Sequence, residues 1–229
     1  RSGLGSLVLP VARCVARPLQ APPPRRLVAV CFAEPRAAGD GAGPFDGLAA
    51  AVARDAQLSR TLALDAPDLG RYVEPQDLAC EEPPPCPQLE PCQVVTERAA
   101  AAAQRVVDCI LRTNLDRHPV VVVGLGVGAY IGLVYARALR LRGGFPWLFY
   151  AVRPPVVFPG CGPGELGPCG VTCLLPPADA GGARWRLEVA TAGAFEVQAL
   201  QPGEAGEGWA EAVARSLSAR VPGQASAAW

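Results

Sequence analysis

The sequence predicts a three-layer α/β fold, a mostly parallel sheet with helices on both faces. Three observations predict it. Short apolar runs alternate along the chain with longer segments at helical spacing. The runs stay apolar instead of alternating with polar residues, as strands covered on two faces must. Pro- and Gly-rich stretches that neither a helix nor a paired strand can absorb separate the units.

The elements follow in order. Arg26 to Phe32 is bounded by proline and charge and reads as a buried strand, with a Gly/Pro loop after it from Pro35 to Pro44. Phe45 to Ala53 reads as a helix with the acidic Asp46 in its first turn, where the positive end of the helix dipole favours it. Thr61 to Asp65 reads as a second strand. Cys80 to Cys92, with five prolines, must be an exposed loop. Val94 to Leu115 is the clearest helix, an alanine run with Val106, Val107, Ile110 and Leu111 on one face. Pro146 to Val152, Val171 to Leu175 and Phe195 to Leu200 read as further strands. Trp209 to Arg220 closes the chain as an amphipathic helix, with Trp209, Val213 and Leu217 spaced four apart. No internal repeat is visible. The expected organisation is a basic Pro-rich extension (1–25), one α/β domain (26–221) and a short tail (222–229).

Composition narrows the function. The chain has 229 residues, half of them hydrophobic, with 21 basic and 21 acidic side chains and no net charge. Nothing there suggests nucleic acid, for which a basic face and stacking aromatics would be expected. Every basic residue is arginine, and lysine and methionine are absent, the mark of a GC-rich coding sequence. No acidic residue occurs from Arg1 to Ala33, a feature of organelle transit peptides; a plastid or mitochondrial location is one reading and a plain linker the other. The nine cysteines include Cys80, Cys86 and Cys92, then Cys161, Cys169 and Cys173, but neither set has zinc spacing and His118 is the only histidine. No metal and no cofactor is expected; buried thiols, with at most one loop disulfide, are. Cys173, on an expected buried strand, has no histidine to activate it.

The most informative stretch is His118 to Tyr130, running on to Arg140. Four consecutive valines, alternate glycines and a helix-like segment read as strand, tight turn and helix. An α/β-hydrolase carries its nucleophile at such a turn, in the pattern G-x-S-x-G. Here the pattern is Gly124-x-Gly126-x-Gly128, and the central position has no hydroxyl.

In this order the segments resemble the thioesterase family of the α/β-hydrolases, whose domains release or edit acyl chains in polyketide, nonribosomal-peptide and fatty-acid synthesis. Leu27 to Phe32 with its loop is similar to the family's first strand and oxyanion loop, and Phe45 to Val52 to the helix after it. Gly124 to Gly144 is similar to the elbow and its Arg/Leu-rich helix. Ala194 to Gly203 with the terminal helix is similar to the end of the domain. The resemblance puts Gly126 in the nucleophile position, leaves Asp179 as a relic of the acid, and sets Glu204 where the histidine base would stand. His118 lies before the elbow strand, at the opposite end of the sheet. Only Arg153 to Gly170, mostly Pro and Gly, fills the place of the lid helices, so the lid is expected to be reduced.

Two other readings fit the same residues. Gly124-x-Gly126-x-x-Ala129 after a strand matches a dinucleotide fingerprint, although the next strand ends at Val152-Arg153 without the ribose-binding carboxylate; an arginine there suits a 2′-phosphate. Residues 119–136 are uncharged, and Gly124, Gly128 and Gly132 form a G-x-x-x-G repeat, as in a single membrane span. The expectation carried forward is a non-catalytic thioesterase-like domain, a pseudoenzyme serving as a structural or interaction subunit among other protein subunits. An active acyl-thioester hydrolase with another nucleophile, or a single-span subunit of a membrane complex, are the alternatives.

Overall fold

The computed structural model describes residues 27–34, 43–79, 94–113, 119–155, 159, 162–175, 187–200 and 208–221. Six strands form one all-parallel sheet: β1 (Leu27–Phe32), β2 (Leu62–Asp65), β3 (Pro119–Leu125), β4 (Phe145–Val152), β5 (Gly170–Leu175) and β6 (Phe195–Ala199), in the order β2-β1-β3-β4-β5-β6. The helices are α1 (Asp46–Arg54), α2 (Leu58–Thr61), α3 (Glu97–Thr113), α4 (Val127–Leu141) and α5 (Gly208–Arg220). Residues 187–190 add a short helical turn.

Helices cover both faces. Val120, Val122, Phe149, Val171 and Cys173 point into a core shared with α3 and α4. Val121, Val123, Leu148, Tyr150 and Leu174 point into a second core, against α1, α2 and α5. The four valines therefore divide two and two between the cores, and all are fully buried. This is why the run shows no polar alternation. On α3 the buried stripe is Ala99, Ala102, Ala103, Val106, Val107, Ile110 and Leu111. On α5 it includes Trp209, Val213 and Leu217, and Trp209 meets Phe45 edge to face with centroids 5.9 Å apart.

Every expected strand is present, within a residue or so of its expected ends. Three details differ. The long helix starts at Glu97 and not Val94, because the Thr96 hydroxyl accepts the Ala99 N–H at 3.1 Å and caps it there. Thr61 ends α2, a single turn too short for a periodic signal, so β2 starts at Leu62. The proposed span 119–136 is divided between β3 and α4, and no helix among the described residues is long and apolar enough to cross a membrane. The extension, the tail and the loop from Cys80 to Cys92 lie outside the described residues.

Candidate functional site at the strand-helix elbow

The chain leaves β1 for β2 on one side and then returns past β1 to β3 on the other. α1 follows β1 onto one face, while α4 follows β3 onto the opposite face. Such a switch opens a crevice at the carboxyl ends of the two strands, the usual ligand position in an open α/β sheet. The elbow lies there.

β3 ends at Leu125, Gly126 forms the turn, and α4 begins at Val127. Gly126 has φ +60° and ψ −127°, a left-handed conformation that glycine adopts without a Cβ penalty. Its N–H donates to Val152 O at 2.9 Å, and its carbonyl accepts the Ala129 N–H at 2.9 Å. The sharp turn of a nucleophile elbow is thus present, with hydrogen where the nucleophile would project.

The flanking glycines have a different cause. A Cβ on Gly124 would sit 2.3 Å from Ala129 Cα, and one on Gly128 only 2.1 Å from Phe32 O. A Cβ on Gly132 would come 2.9 Å from Val122 Cγ1. The G-x-x-x-G spacing therefore serves the close approach of α4 to β1 and β3. Phe32 and Tyr135 complete this contact, with ring centroids 5.3 Å apart.

In a hydrolase of this fold the oxyanion would be held by the N–H of the residue after the nucleophile and by one from the loop after the oxyanion strand. The first corresponds to Val127, at the N-terminus of α4, where the helix leaves its first N–H groups without intrahelical acceptors. Most of the second loop, residues 35–42, lies outside the described residues. So do Asp179, Glu204 and His118. The strands that precede the first two, β5 and β6, end at the elbow edge, whereas Pro119, next to His118, begins β3 at the other edge. Of the expected site residues, the structure brings together Gly124, Gly126 and Gly128.

The described thiols offer no replacement nucleophile at this turn. Cys31, Cys169 and Cys173 are free and buried, and burial pushes Cys169 and Cys173 up to about 12 and Cys31 higher still. The fourth, Cys109, is half-buried in the last turns of α3, which lead to the start of β3 and so to the edge away from the elbow. Among the described residues no group of His, Cys, Asp and Glu is placed to hold a metal ion.

The crossover from β4 to β5 runs along the α3/α4 face and contains no helix among its described residues. Arg140 Nη1 donates to Gly164 O and Glu165 O, each at 2.7 Å, and Arg137 pairs with Glu165 at 3.1 Å. Leu166 and Cys169 are fully buried in the core beneath. These contacts hold residues 162–169 at the far end of α4, away from the elbow. A surface groove of about 540 Å³ between α1 and α5, lined by Arg54, Asp55, Glu211 and Ser218, also lies toward that far end.

Arg153, which the dinucleotide reading of the sequence set at the end of a strand as suited to a 2′-phosphate, stands beside the elbow. Val152 pairs with Leu125 and accepts the Gly126 N–H, so the next residue borders the turn.

No protein-family model and no curated protein matches the sequence. Solved structures do. The chain is similar to human thioesterase 2, at 13% identity and a TM-score of 0.51, over 86% of this chain and 99% of that one. It is also similar to the RedJ thioesterase from the prodiginine pathway of Streptomyces coelicolor, at 14% identity and a TM-score of 0.50, over 89% and 90% of the two chains. The Vlm2 thioesterase domain matches at 14% identity and 0.50, over 86% and 95%. At such identities the likeness is one of fold: the chain has the α/β-hydrolase fold seen in thioesterases.

Proposed function

We propose that this chain is a thioesterase-fold domain that does not hydrolyse acyl thioesters and serves as a structural or interaction subunit among other proteins. One observation carries the reading: Gly126 holds the nucleophile-elbow conformation, φ +60° and ψ −127°, and has no side chain to attack with. Acyl transfer in this fold needs an oxygen or sulfur nucleophile and a base that later protonates the leaving group. Without them only the Val127 N–H and binding remain, which support at most residual catalysis.

The test is hydrolysis of a short acyl thioester by the full chain. The expected result is turnover no faster than in buffer, for the chain itself and for Gly126→Ser, which restores a hydroxyl without restoring a base. Turnover abolished by one substitution would instead establish an active hydrolase with its nucleophile outside the described residues. The preserved elbow geometry is what favours that second reading. Native mass measurement on material from the source addresses assembly; a stable free monomer would defeat the subunit role.

A further inference from the structure

Arg153 is held in a backbone conformation uncommon for a residue with a side chain. Its φ is +46°, in the left-handed region, and it is the sole non-glycine residue there among those described. For an L-residue this costs about 1–2 kcal/mol. Its backbone N–H donates to Leu174 O at 2.9 Å, which fixes it between the ends of β4 and β5. Its side-chain Nε is sealed from solvent and has no hydrogen-bond partner. Other arginines are placed differently: Arg54, Arg98, Arg137 and Arg220 each meet a carboxylate. A buried donor left unmatched costs about 1–3 kcal/mol, and more when it is charged. Strain and an unmet donor thus coincide at one residue, beside the elbow and at the carboxyl edge of the sheet.

We infer that Arg153 anchors an anion-binding subsite, taking a carboxylate or phosphate group of a small ligand whose body lies over Gly126. The guanidinium fork matches both groups in geometry and charge. The first N–H groups of α4, a 15-residue helix, stand at the same edge and favour negative charge there. The inference goes beyond the proposed function: it rests on Arg153 and the fold and holds whether or not the site hydrolyses anything.

The experiment compares thermal unfolding and calorimetric titration of the full chain with inorganic phosphate and with glutarate, each against sodium chloride of equal ionic strength. At least one anion is expected to raise the melting temperature and bind. A response to phosphate alone assigns a phosphate ligand, and one to glutarate alone a carboxylate. Arg153→Gln should weaken that binding by about tenfold or more. Arg153→Gly removes the guanidinium and the left-handed strain together, so it stays folded and should show the same loss. Arg60→Gln, at an exposed position on α2, should respond like the parent chain. No response in the parent, an undiminished response in Arg153→Gly, or an equal loss in Arg60→Gln would overturn the inference.

Discussion

The two edges of the sheet use arginine in opposite ways. At the amino edge, Arg140 donates to two carbonyls of the β4–β5 crossover and lies over Gly167, where a Cβ would come within 2.6 Å of its guanidinium carbon. At the carboxyl edge, Arg153 has a left-handed backbone and a buried Nε with no acceptor. The glycines divide similarly. Gly167 and Gly143, with φ +58° and +81°, turn the chain at the amino edge, while Gly126 turns it at the elbow. At the amino edge the described part of the crossover is tied down by its own contacts. The carboxyl edge keeps strain and an unused donor, which is where fold-level reasoning places a ligand.

The sharpest test of this contrast is Gly128→Ala. A Cβ there would come 2.1 Å from Phe32 O and 2.7 Å from Ala33 Cα, both backbone atoms, so α4 must move off β1. Urea unfolding should show a loss of about 3 kcal/mol or more; a loss below about 1 kcal/mol would mean that the elbow is not tightly packed.

Both edges should nevertheless share a dry core. Cys31 near the elbow and Cys169 near the opposite edge are expected to resist iodoacetamide at pH 8 in the native state, read by peptide mass mapping. The folded-state values of Cys169 and Cys173, about 12, lie above the ordinary 9.0 of an unfolded chain. Below pH 9 the thiols are protonated in both states and stability is complete. Between pH 9 and 12 only the unfolded chain ionises, so stability falls, by ~1.4 kcal/mol per pH unit for each thiol. Stability flat across that window would show that water reaches these thiols.

Gly126→Ser separates conformation from packing. The φ of +60° should make serine cost about 1–2 kcal/mol. No loss would show that the turn relaxes to an ordinary conformation. Arg140→Ala should cost about 1 kcal/mol, since its carbonyl contacts are exposed, and should speed proteolysis of the crossover. The smallest effect belongs to Arg153→Gly. Relief of left-handed strain outweighs the added freedom of the unfolded chain, for a gain of about 0.5 kcal/mol. A loss at this position would remove the contrast between the two arginines.

Much of the fold was legible in the sequence because its signals are local. A run such as Val120 to Val123 can be buried on two faces only in a covered sheet, and the spacing of Trp209, Val213 and Leu217 marks one helix face. α2 was not legible, since one turn holds no period. Of the candidate site, the missing hydroxyl at Gly126 was legible. The causes of Gly124, Gly128 and Gly132 were not: their repeat reads equally as a membrane helix face, and only contact with Phe32, Val122 and Ala129 decides between the two.

The sequence by itself determined the layers, the six strands and the glycine at the centre of the strand-helix turn, since each follows from the residue types within a dozen positions. The tertiary structure alone decided the strand order, the left-handed turns at Gly126 and Arg153, and the binding of the crossover to α4 by Arg137 and Arg140. Those depend on groups far apart in the chain that approach within a few ångströms. No local pattern encodes which carbonyl a glycine will face, or which arginine nitrogen will be left without one.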